Sequence, residues 1–138
     1  MTQTESEHAL SELMTSSREV LALPSEGWDQ GYPLVPDPCI LSNGDLGVDY
    51  VDLRTWTGDT GTEADTDALL ERVREHWEAQ GLTTSLDVRE GNPGDEPYLF
   101  FTGRGGPVQN IRVSVIPGQV TLDGESICVV DADDLFPD

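Results

Sequence analysis

Leu10, Leu13, Met14 and Leu21 recur at helical spacing between Glu5 and Ala22, with Glu, Ser and Arg at most of the other positions, so the chain opens with an amphipathic helix. Pro24 ends it. From Pro24 to Pro38 the periodicity lapses, and four prolines accompany Trp28 and Tyr32. That stretch predicts a loop laid over the core, too proline-rich for a central strand. Cys39-Ile40-Leu41 then reads as a short strand entering the turn Ser42-Asn43-Gly44-Asp45, since Asn-Gly tolerates the positive φ of a tight hairpin. The returning strand, Leu46 to Thr57, alternates at Leu46, Val48 and Tyr50 and again at Val51, Leu53 and Thr55. The change of phase at Tyr50-Val51 predicts a bulge there.

Thr62 and Asp65 have the spacing of a capping box, which starts a second helix running to Gln80. Leu69, Val73 and Trp77 are its buried stripe, Leu70 widens it, and Gly81 is its left-handed cap. Five strand-like stretches follow: Thr83 to Arg89, Tyr98 to Thr102, Val108 to Ile116, Val120 to Leu122 and Ser126 to Val130, separated by Gly- and Pro-rich turns. Such short connections imply antiparallel neighbours. The expected class is therefore α+β, two helices packed on one face of a mostly antiparallel sheet, schematically α-β-β-α-β-β-β-β. Residues 1–130 form a single domain, and 131–138 an acidic C-terminal tail expected to fray, although Leu135-Phe136 could dock.

Charge narrows the partners. The chain carries 27 acids against seven bases, a formal net charge of −20, and every base is arginine. Such a surface repels nucleic-acid backbone and anionic lipid, which argues against a nucleic-acid partner. Three readings of the acidity stand side by side: codon bias of a GC-rich genome with acidic solubility, adaptation to salt, and imitation of a phosphate backbone.

The two cysteines, Cys39 and Cys128, lie outside any CxxC or Cys/His cluster, and each sits in or beside an apolar strand-like segment. Two reduced thiols buried as small hydrophobes would fit a cytosolic protein, whereas a disulfide would fit an exported one. A bridge over that span stabilises by up to ~4–5 kcal/mol on the chain-entropy account. No stretch reaches transmembrane length, and Met1 to Glu19 contains no apolar run of a targeting segment. Either the chain is cytosolic or a signal region, with a lipid anchor, has been removed from it.

Motifs of chemistry are sparse. Gly103-Arg104-Gly105-Gly106-Pro107 has the composition of a phosphate cradle with Arg104 as clamp, yet it leads into a strand rather than a helix N-terminus and reads as a hairpin turn. Asp59, Glu63, Asp65 and Asp67 suggest calcium, but a loop opened at Asp59 puts Ala64 and Leu70 where an EF-hand needs Gly and Glu. An acidic first helical turn explains the cluster. His8 and His76 stand among charged residues on helices with no zinc spacing, and no Gly-x-Ser-x-Gly elbow exists. No catalytic residue, metal ligand or cofactor is thereby assigned. Trp28 and Tyr32, in the Pro-rich loop, have the best claim to a ligand or partner site, with Arg104 as a further candidate.

The order of features, with Cys39 at the first strand, Trp77-Glu78 and Gly81 closing the second helix and Cys128 on the last strand, resembles small actinobacterial envelope lipoproteins of the LppA-like kind. The resemblance implies a disulfide-linked α+β domain held outside the membrane, without assigned activity. The expected function is a non-enzymatic exported or lipid-anchored envelope protein that binds a protein or small-molecule partner through the Trp28/Tyr32 loop. The alternatives are a cytosolic acidic inhibitor or DNA mimic, and an unrecognised hydrolase with two carboxylates of opposed pKa.

Overall fold

The computed structural model describes residues 1–31 and 33–136. Helix α1, Gln3–Leu21, is followed by a 3-10 turn at Ser25–Gly27 and by strands β1, Val35–Ile40, and β2, Leu46–Thr57. Helix α2, Glu63–Ala79, leads to β3, Leu82–Arg89, β4, Tyr98–Gly105, β5, Val108–Ile116, β6, Gln119–Glu125, and β7, Val129–Val130. The order in the sheet is β1-β2-β6-β5-β4-β3, with β7 also on β2, and every pairing is antiparallel. The fold is α+β, as the periodicity implies. Helix α2 carries the chain from β2 to the far edge at β3, and the meander returns strand by strand until β6 closes against β2.

Both helices cover the same face. Directly opposed residues of an antiparallel sheet share a face, so the register places Val48, Trp56, Val120, Leu122, Val113, Val115, Leu99 and Phe101 together. Leu10 and Met14 of α1 and Leu69, Val73 and Trp77 of α2 complete this core, and Trp77 stacks on Phe101 at 5.5 Å. Glycine sets the close approach of α1: a Cβ on Gly124 would lie 2.9 Å from Leu10 Cδ1. Both helices begin with a capping box, Thr2 with Glu5 and Thr62 with Asp65.

The stripe of α1 is longer than its apolar residues indicate. Gln3, Ser6 and Ser17 lie on it and are buried, each with a partner: Gln3 Nε2 donates to Tyr50 Oη at 2.8 Å, Ser6 Oγ to the Ile127 carbonyl at 2.8 Å, and Trp77 Nε1 donates to Ser17 Oγ at 2.9 Å.

Two local expectations need correction. The loop expected to run to Pro38 becomes strand at Val35, because β1 is a sheet edge and Pro36 and Pro38, two residues apart, leave their missing donors on one side of the ladder. The bulge expected at Tyr50-Val51 lies instead on the partner strand. Val51 pairs with Glu125 and Val48 with Val129, so one extra residue is accommodated between β6 and β7. Ser126 seals it, donating its N–H to the Tyr50 carbonyl and accepting the Tyr50 N–H on Oγ at 2.7 Å. Five strands follow α2, one more than the schematic order carries, because the two-residue β7 resumes the line of β6.

Cys39 and Cys128 form a disulfide, with 6.0 Å between their Cα atoms. Cys39 lies in β1, whereas Cys128, expected on the last strand, immediately precedes β7, and β1 and β7 are not hydrogen-bonded to each other. They flank β2, and the bridge passes over Gly47, where a Cβ would stand 3.0 Å from Cys128 Sγ and 2.5 Å from the Val129 carbonyl oxygen. The tail, expected to fray, instead folds back as far as Phe136: Asp131 accepts from the Leu135 and Phe136 amides, Gln3 Oε1 from Ala132 and Asp133, and Phe136 packs on the core.

Candidate functional site

The Pro-rich loop is fixed to the sheet by Trp56. Its indole Nε1 donates to the Pro24 carbonyl at 2.9 Å, and the loop backbone lies against the ring, so that a Cβ on Gly27 would collide with Nε1. Trp28 pairs with Trp56 in an isolated bridge, and the Asp29 N–H donates to the Thr55 carbonyl at 2.9 Å. The loop thus extends the β2 edge beyond the end of β1. That anchorage holds the Trp28 ring, half-buried, beside the C-terminal half of α1.

Arg18 of α1 lies over the Trp28 ring with its guanidinium carbon 4.8 Å from the centroid, a cation–π contact. Arg54 of β2 lines the same shallow cleft with Thr15, Glu19 and Ser25. It is tied to the buried Asp52 at 3.3 Å. Two of seven bases therefore line one cleft beside a tryptophan, Arg18 on its ring and Arg54 held by Asp52, in a chain of net charge −20. Chemically the cleft offers an aromatic face and guanidinium donors, a combination suited to a carboxylate or another anionic group. The sequence carries a partial sign of it: Asp52 and Arg54 break the apolar run on the helix-facing side of β2 between Tyr50 and Trp56. Arg18 gives none.

The other nominated residues do not join it. Tyr32 lies outside the described residues. Arg104 is exposed near the β4–β5 hairpin, opposite Asn110, at the end of the sheet away from Trp56 and Val120. The acidic run before α2 behaves as a helix start, Asp59 accepting from the Gly61 amide and Asp65 capping Thr62, which holds the Asp65 carboxyl below its usual range. His8 pairs with Glu12 on the surface, while His76 is half-buried, its Nε2 2.8 Å from Ser16 Oγ between the two helices. Among the described residues no group of three or more His, Cys, Asp or Glu is placed to hold a metal ion.

One cluster had no motif to announce it. Asp49 of β2 is buried, faces Asp37 of β1 in register and approaches Glu125 of β6; its Oδ1 has no hydrogen-bond partner. Burial first, then the hydrogen-bonding and charge of Glu125 and the charge of Asp37, push the Asp49 carboxyl up to about 7. The signal was compositional: Asp is depleted from strand interiors, and β1 and β2 carry one each at opposed positions. The cluster lies on the face away from the helices, beside the disulfide.

No family model matches the chain, and no characterised protein matches it in sequence. A solved structure, that of a DUF4853 family protein from Actinomyces odontolyticus, is similar in fold, with a TM-score of 0.60 at 10% identity over 96% of this chain and 73% of that one.

Proposed function

We propose that the chain is a non-enzymatic domain of the cell envelope, exported or lipid-anchored, that binds a partner through the Trp28 loop. The observation that carries the reading is the convergence of Arg18 and Arg54 on the Trp28 cleft in an otherwise acidic molecule. The partner that this cleft suits presents a carboxylate or another anionic group. The disulfide supports an oxidising compartment, and the resemblance to LppA-like envelope lipoproteins points the same way. No helix of the described residues is long and apolar enough to cross a membrane. The raised Asp49 carboxyl beside Glu125 is the observation that favours the hydrolase alternative, and it lies on the face away from the helices, outside the Trp28 cleft.

The compartment is tested by intact mass before and after reduction on protein isolated from its own cells under alkylating conditions. An oxidised pair in the envelope fraction is expected; two free thiols overturn export. The surface is tested by a photo-crosslinking residue at Trp28 and, separately, at Arg104. Crosslinks from position 28 alone are expected, and equal yields from both ends of the sheet would remove the assignment to the Trp28 loop.

A further inference from the structure

The two edges of the sheet are built differently. Strand β1 carries Pro36 and Pro38, which remove donors from one edge and blunt it against further pairing. Strand β3 is the other edge. Its eight residues, Leu82–Arg89, contain no proline or glycine and pair in unbroken register with β4 alone. Outside that ladder they make no backbone hydrogen bond among the described residues. Alternate N–H and C=O groups of β3 therefore face outward unpartnered, the template on which another strand can add.

Beside this edge runs a trench. One groove, of about 230 Å³, lies between the start of α2 and the far ends of β3, β4 and β5; a second follows the flank of α2 over Thr84 and Phe101, and the two share Asp67 and Leu86. Leu86 and Val88, both on the helix-facing side, are 51% and 54% exposed in the trench floor. Its wall is acidic: Glu63, Asp67, Glu71 and Glu78 project from α2, and the base among them, Arg74, is held by Glu71.

We propose that β3 accepts an extended basic polypeptide segment, which adds as a strand to this edge and lays every second side chain into the α2–β3 trench. An arginine or lysine at those positions covers Leu86 and Val88 with its aliphatic stem and ends at the α2 carboxylates. Residues between them point to the opposite face, beside Ser85 and Asp87, where β-branched side chains fit a strand. A second copy of this chain is the wrong occupant, since pairing β3 with β3 joins two molecules of net charge −20 each. This edge is separate from the Trp28 cleft, and the proposal does not rest on it.

The probe is a synthetic octapeptide of alternating arginine and valine, titrated into the oxidised full chain and followed by calorimetry and by backbone amide shifts. Binding that perturbs β3 and the α2 flank and weakens with salt is expected. Two further peptides carry N-methyl groups on every valine or on every arginine, each blocking one backbone edge. One of the two should bind at least about tenfold more weakly than the parent. The Leu86→Lys/Val88→Lys chain should lose affinity for the parent peptide by a similar factor, and the Asp67→Lys chain should shift the same way; the difference between the two N-methylated peptides, which carry the same charge, separates the edge from a general attraction to an acidic protein. No binding by the parent peptide, equal binding by both N-methylated forms, or a β3-dependent dimer in sedimentation overturns the proposal. Free thiols or an unused Trp28 surface would leave it untouched.

Discussion

Asp49 shows how a single buried group sets a pH response. Its carboxyl faces Asp37 from β1 and Glu125 from β6, and burial raises its pKa from the ordinary carboxylate range to about 7. An unfolded aspartate titrates near ~3.9. Between these values the folded chain holds a proton that the unfolded chain has lost, so stability from this group is fully present below about pH 4 and disappears as pH rises through about 7. The melting temperature should therefore fall across that window once other carboxylates are accounted for. Asp49→Asn should raise it by a few degrees at pH 8 and flatten the slope, both read by calorimetry at several pH values. Gly47 is the second decisive residue. A methyl group there meets the Val129 carbonyl and the disulfide sulfur, neither of which yields easily. Gly47→Ala should cost about 1–3 kcal/mol in urea unfolding.

At the scale of elements, capping and periodicity were legible in sequence because they are local. Thr62 and Asp65 are three residues apart in the chain and remain three apart in the cap they form. Thr62→Ala should lower stability by about 1 kcal/mol, measured by denaturant titration, through loss of the bond to the Asp65 amide. The helix-facing residues of β4 to β6 follow their alternation for the same reason. The start of β1 and the bulge were misplaced because both depend on a partner strand. Pro36 and Pro38 are incompatible with a central strand and compatible with an edge, and which of these applies is decided by what lies beside β1. The phase change in β2 likewise records an irregularity whose extra residue sits far along the chain, at Ser126 to Cys128. Gln3, Ser6 and Ser17 of α1 read as polar surface and are buried, because their partners come from Tyr50, Ile127 and Trp77.

For the whole molecule, the disulfide ties the first strand to the segment entering the last across β2 and closes a loop of 89 positions. Replacing both cysteines by serine should remove up to ~4–5 kcal/mol, read as a lower urea midpoint with α-helix content preserved at low denaturant. A loss well under ~2 kcal/mol would mean that β1 and the Ser126 seal already hold this end of the sheet. The two ends of the sheet differ: one is stapled and lies beside the acidic cluster, the other carries the Trp28 cleft.

The sequence by itself determined the α+β class, the start of the second helix, the alternation of β2 and the acidity of the surface, since each depends on residues a few positions apart or on composition. The local pattern around Cys39 and Cys128 fits either redox state, and their pairing depends on β1 and the segment entering β7 lying on either side of Gly47. The tertiary structure alone decided that Arg18 stacks on Trp28 with Arg54 in the same cleft, that Asp49 faces Asp37 and Glu125, and that β3 is left as an open edge. Each of these depends on strand order and register, which arise from pairing between residues remote in the chain, and no local pattern carries that information.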